Sequence, residues 1–129
     1  MEQALNDGRT INPMEWGNNL RTLLDQVLAQ NPQAKFMLCT PFVAKAGWRG
    51  ESDNYNLRHE MIASLVEVVK EVSNDYSAVL VPFDTLVADS ITATPDLPVS
   101  YWIWDGIHPT PAMHYKMAMM WIEKLNQIL

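Results

Sequence analysis

The stretch Trp104-Asp105-Gly106-Ile107-His108-Pro109-Thr110-Pro111-Ala112-Met113-His114 places a carboxylate three residues before an imidazole. A turn over that spacing lets Asp105 fold back onto the ring of His108. Such a pair is suited to general-base chemistry, in which the acid fixes the tautomer and stabilises the charged ring. The same spacing also fits an Asp105 that only caps the last helix or starts its turn, with His108 an ordinary surface residue. A base needs something to activate, and the chain holds six serines: Ser52, Ser64, Ser73, Ser77, Ser90 and Ser100. Ser52 falls in a loop, and Ser64 and Ser73 fall on a helical pattern. None of these three has the strand-to-turn setting of an exposed nucleophile.

Other reactive side chains carry weaker signals. His114 lies six residues beyond His108, so the two point to different helix faces. A zinc set of Asp105, His108 and His114 would need a distorted helix start, and no cysteine cluster supports it. No metal or cofactor is expected. Cys39 is the single cysteine, sits in an apolar run and reads as core packing. His59 reads as a surface or boundary residue of a helix. Trp48, Trp102 and Trp104 fall in loops that would flank the Asp105–His108 edge. There they would either stack on a substrate or cover the core.

The elements that must position these residues follow from periodicity. Asn12-Pro13 opens a helix that carries Trp16, Leu20, Leu23, Leu24, Val27 and Leu28 inward and ends at Asn31-Pro32. Residues 35–40 read as a buried strand stopped by Pro41, and residues 43–53 as a loop. A second helix is predicted from Asn54 to Asn74, facing inward with Tyr55, Ile62, Leu65, Val66, Val69 and Val72. Residues 77–81 form a second strand, stopped by Pro82. A short helix follows from Asp84 to Ser90, then an irregular stretch over 92–103. The last helix starts near Pro109 and points Met113, Met117, Met120, Trp121, Leu125 and Ile128 inward. Residues 1–12 are expected to be mostly irregular, and the 129 residues to form a single domain. Alternating strands and helices imply an α/β fold with a parallel sheet and helices on both faces. Two strands are few for such a sheet, and both read as interior strands.

Composition bounds the function. With 48% hydrophobic and 19% charged residues the chain is globular, not disordered. A net charge of -6 gives no basic stripe for phosphates, which argues against nucleic-acid or anionic-membrane partners. No apolar run reaches membrane-spanning length. MEQALNDGRT lacks a signal pattern, and the compartment stays open because a leader could precede it.

The C-terminal block, Asp105-Gly106-Ile107-His108-Pro109 followed by His114 on a helix, resembles the last motif block of the SGNH (GDSL-type) esterase and acylhydrolase family. Asn18-Asn19-Leu20 with Leu23 and Leu24, then Asn31-Pro32-Gln33-Ala34-Lys35, is similar to the helix and turn entering that family's fourth strand. Thr40-Pro41-Phe42 resembles that strand's end, and Val79 to Phe83 the fifth strand. The similarity covers residues 13–129. Residues 88–104 look closest to the carbohydrate-deacetylating branch. Met113 departs from the glycine common before the second histidine.

This resemblance implies a flavodoxin-like three-layer α/β/α fold of which only the C-terminal part is here. It implies His108 as the base and Asp105 as its orienter, acting on acyl esters or acetylated carbohydrate. Trp104 and Trp102 would be substrate-binding aromatics. The family's nucleophilic serine block, glycine oxyanion donor and Gly-x-Asn-Asp block belong upstream and do not occur in this sequence. Ala88-Asp89-Ser90-Ile91-Thr92 is similar to the family's Gly-Asp-Ser-Ile-Thr, but it follows the wrong strand and lies only 15 residues before Asp105. Ser90 is therefore not expected to be the nucleophile. The expectation is an esterase scaffold that is inactive as this chain alone. It would either self-associate as a homo-oligomer or pair with the missing N-terminal half. The alternative is a non-catalytic interaction domain derived from that family.

Overall fold

The computed structural model describes residues 11–45 and 55–129. Trp48, Ser52 and most of residues 1–12, the segment expected to be irregular, lie outside the described residues.

Helix α1 spans Pro13–Gln30. The Asn12 side chain accepts hydrogen bonds from the backbone N–H groups of Met14 and Glu15, at 3.0 and 3.3 Å, and Pro13 supplies a preset φ at the first turn. The helix ends at Asn31, which turns extended while its N–H still reaches the carbonyl of Val27. α1 packs on helix α2, Tyr55–Asp75. The approach is close because Gly17 has no Cβ: one placed there would come within 2.8 Å of Val68 Cγ1. Leu24 is buried, but Leu23 and Val27, expected inward, are 60% and 46% exposed. α1 rests on one helix, which covers a narrower stripe than its apolar face.

The inward side of α2 follows its period. Ile62, Leu65, Val66, Val69 and Val72 are buried as expected, and Met61 joins them. Tyr55 is only half-buried. This helix is the crossover between strands β1, Met37–Cys39, and β2, Val79–Val81. The strands pair in parallel, with Met37 opposite Val79, Leu38 opposite Leu80 and Cys39 opposite Val81. Both are shorter than the sequence suggests. Pro41 and Pro82 cannot donate to a ladder, and Ser77 adopts a left-handed φ of 51° that keeps it out of the strand. Cys39 is exposed and not part of the core. β1 has one strand neighbour among the described residues, so its surroundings are half those of an interior strand.

Helix α3 runs over Phe83–Ala93, longer at both ends than predicted. Its start is fastened to the end of β1: the buried Thr40 hydroxyl donates to Asp84 Oδ1 at 2.5 Å and accepts from the Asp84 N–H at 3.0 Å. A 3₁₀ turn, Val99–Tyr101, interrupts the stretch read as irregular. Helix α4 spans Pro111–Leu125, with Thr110 as its N-cap. It starts after Pro109 because Pro109 is taken up in an antiparallel bridge to Ile103. Met113 is fully buried, whereas Trp121, expected inward, is 41% exposed. α4 packs on β2 and α3, and α2 packs on both strands. Among the described residues, no helix is long and apolar enough to cross a membrane.

Candidate active site

The Asp-x-x-His stretch is the tip of a small hairpin. Ile103 bridges Pro109, the Trp104 N–H donates to the His108 carbonyl at 3.1 Å, and the Thr110 N–H donates to the Trp102 carbonyl at 2.9 Å. Residues 104–108 are thus closed into a loop. The loop turns at Gly106, whose φ of 93° L side chains rarely adopt. Its base is anchored in a core of Ala44, Val87, Trp102, Ile103 and Met113. Its tip is tied to the segment after β1 by the Ala44 N–H, which donates to the Gly106 carbonyl at 2.9 Å.

Within this loop Asp105 is almost fully buried, with 2% of its surface exposed. One carboxylate oxygen, Oδ1, accepts from the backbone N–H groups of Ile107 and His108, at 3.0 and 2.7 Å. The other, Oδ2, meets His108 Nδ1 at 2.7 Å. Burial by itself would push the carboxyl pKa up. The His108 N–H, the His108 ring and the Ile107 N–H outweigh it and hold the pKa at about 2. Asp105 is therefore ionised near neutral pH and can only accept. The shared proton must sit on His108 Nδ1, which leaves the Nε2 lone pair of the neutral ring free to take a proton. The His108 side chain is 58% exposed. Among the described residues Nε2 has no hydrogen-bond partner. This arrangement can accept a proton from a hydroxyl brought to Nε2 and hold the resulting imidazolium against a fixed carboxylate.

Asp105 does not cap the last helix, because Thr110 has that place, but it does start the turn before it through the Ile107 and His108 N–H groups. Trp102 is a correction: expected at the substrate face, it is buried at 7% exposure. Its indole Nε1 donates to Thr94 Oγ1 at 2.8 Å. The chain leaves the core after Ile103: Trp102 and Ile103 are buried, whereas Trp104 lies outside, 54% exposed and stacked on His108. Ser90 is buried in α3, and its Oγ accepts from Lys116 Nζ at 3.1 Å. The same ammonium lies 4.6 Å from the centre of the Trp102 ring. His114 is exposed on the first turn of α4, and His59 is exposed on α2. Among the described residues no three His, Cys, Asp or Glu side chains converge as metal ligands would. The sequence reading missed the supports of the loop: Ala44, Thr94, Lys116 and Gly106. Only Gly106 had a readable signal, since Asp-Gly is a turn dipeptide.

Residues 4–116 match the model of the GDSL-like lipase/acylhydrolase family. The chain belongs to this family. As a family member it is 30% identical over 112 residues to a multidomain esterase from Ruminococcus flavefaciens, covering 85% of this chain and 13% of that protein. It superposes with a TM-score of 0.80 and 25% identity on a GDSL-like lipase from Parabacteroides merdae, over 94% of this chain and 53% of that one. A variant of an acetyl-xylooligosaccharide esterase from Geobacillus shares the fold, with a TM-score of 0.66, 22% identity and coverage of 88% and 47%. The chain thus spans about half the length of these solved relatives. The expected α/β fold of the GDSL family is the one observed, reduced to a small parallel sheet with helices packed against it.

In this GDSL-family loop Gly106→Ala is expected to cost about 1–2 kcal/mol, because an L residue is strained at the observed φ. Urea unfolding of the two proteins checks it. An unchanged midpoint would mean that the loop can turn without a left-handed residue.

Proposed function

We propose that this chain contributes the base and its orienter to a GDSL-type serine esterase, with His108 as general base and Asp105 as the group that fixes its tautomer. The 2.7 Å contact between His108 Nδ1 and a buried, ionised Asp105 carries this reading. In the reaction a serine hydroxyl attacks the ester carbonyl. His108 Nε2 takes the serine proton and later returns it to the leaving alcohol. Acyl esters and acetylated carbohydrate are the substrate classes, the latter suggested by likeness in fold to an acetyl-xylooligosaccharide esterase. The nucleophile and the oxyanion donors come from residues other than the described ones. Ser90 is held inward by Lys116 and does not serve. Residues 1–129 act as one unit in this scheme.

Two proteins test the proposal with p-nitrophenyl acetate. The 129-residue chain alone is expected to hydrolyse no faster than its His108→Ala variant. The same chain joined to the part of the Parabacteroides lipase that it does not cover is expected to become an esterase that depends on His108. Hydrolysis by the chain alone that is lost in both His108→Ala and Ser90→Ala would overturn the assignment of the nucleophile. A folded, active chimera indifferent to His108 would overturn the base.

A second reading, a self-associating domain without catalysis, has support in the outward face of α4, where Tyr115, Met119 and Ile122 are 69%, 50% and 49% exposed. Sedimentation of a well-folded monomer at high concentration would count against it.

A further inference from the structure

Trp104 is an unusual residue to leave in solvent. Its indole is 54% exposed, yet it lies nearly parallel to the His108 imidazole, at an interplanar angle of 23° and a centroid separation of 6.2 Å. The hairpin explains the placement. The N–H of Trp104 donates to the carbonyl of His108, so the two residues are the closing pair of the loop and their side chains stand side by side. Trp102 and Ile103, just before it, are buried and fix the direction from which Trp104 emerges. The Asp105 carboxylate meets Nδ1 of the same ring at 2.7 Å. Among the described residues, Asp105 is the charged group within ion-pair distance of the ring.

A single hydrogen bond to Nδ1 fixes one atom of an imidazole but leaves the ring free to swing about the Cβ–Cγ bond. A flat aromatic surface on the ring face removes that freedom and limits the approach of water to the Nδ1–Oδ2 contact. We propose that Trp104 is a positioning residue for His108, its indole backing the imidazole so that Nδ1 stays on Asp105 while Nε2 points outward. The inference rests on the base–orienter reading above and deepens it. Trp104 exchanges no proton and forms no bond in the reaction. It narrows the range of ring orientations from which Nε2 can reach a hydroxyl.

The test uses the chain itself and reads the ring directly, independent of hydrolysis. Nitrogen NMR of a histidine-labelled sample reports the tautomer of His108, and exchange of its Nδ1 proton with water reports how well the contact is shielded. In the parent the Nδ1–H tautomer is expected to dominate. In Trp104→Ala the proton is expected to exchange about threefold to tenfold faster, with a second tautomer becoming visible. Trp104→Phe keeps a flat ring and is expected to restore most of the parent behaviour, which a loss of general packing would not explain. The indole is more than half exposed, so both variants should fold, and the amide signals of Val69 and Val72 serve as the check. Exchange and tautomer unchanged in a folded Trp104→Ala protein would overturn the positioning role. Asp105→Asn separates this inference from the reading beneath it. If Asp105→Asn changes the tautomer and Trp104→Ala does not, only the role of Trp104 fails. If neither changes it, the base–orienter pair fails as well.

Discussion

Asp105→Asn, introduced into the chain joined to the part of the Parabacteroides lipase that it does not cover, is expected to lower kcat/KM by about three to four orders of magnitude, the size of the same change in a serine-protease triad. The reason is the tautomer. The asparagine carbonyl can keep both backbone N–H bonds that Oδ1 now accepts, at 3.0 and 2.7 Å. The amide nitrogen that takes the place of Oδ2 is a donor. It would face His108 Nδ1, and the ring would answer by moving its proton to Nε2. A protonated, neutral Nε2 cannot accept a proton from a hydroxyl. Shape is kept and chemistry is lost, so circular dichroism should stay the same while the rate collapses. A rate within tenfold of the parent would show that Asp105 is not the orienter.

The same substitution has a signature in stability. The Asp105 pKa lies at about 2 in the folded chain, below its ordinary value of 3.8. A lowered folded-state pKa means the native state binds its proton less readily than the unfolded chain does. The stabilisation is therefore complete above the unfolded pKa and is lost as pH falls from there through about 2. The shift corresponds to about 2 kcal/mol at neutral pH. Urea titrations should show that Asp105→Asn removes this acid-side loss along with the stabilisation itself. Parallel curves for the two proteins between pH 5 and pH 2 would contradict the expected linkage.

Ile103→Ala is expected to destabilise the fold by about 2–4 kcal/mol, the range for truncating a fully buried aliphatic side chain. Ile103 has no exposed surface and joins Trp102, Val87, Ala44 and Met113 in the core beneath the loop. It is also the residue that bridges Pro109 and directs the chain into Trp104 and Asp105. The cavity would lie directly under the site, so the His108 Nδ1 proton should exchange faster as well. Calorimetry or urea unfolding gives the first quantity and NMR the second. A loss below about 1 kcal/mol would mean that the neighbours refill the space and that the anchor is shared more widely.

Sequence patterns determined a good deal of this protein. Helical periodicity located α1, α2 and α4, and Asn12-Pro13 marked the start of α1, because caps and 3.6-residue repeats are local properties. Two apolar runs, each stopped by proline, located β1 and β2, and alternation with helices implied their parallel pairing. The three-residue spacing from Asp105 to His108 sufficed to suggest a pair, since one turn brings the two together. Tertiary structure alone decided which side chains are buried. Leu23, Val27 and Trp121 satisfy the helical period yet face outward, and Cys39 lies in an apolar run yet is exposed. Burial depends on which elements stand opposite, and a period does not name them. The two tryptophans show the same limit at the site. They sit two residues apart in similar surroundings, but one indole is committed to the core and to Thr94 while the other lies against His108. The electrostatics of Asp105 were equally out of reach of sequence. Its low pKa comes from burial offset by two backbone N–H groups and the His108 ring, contacts that exist only once the hairpin is closed over Gly106 and fastened to Ala44.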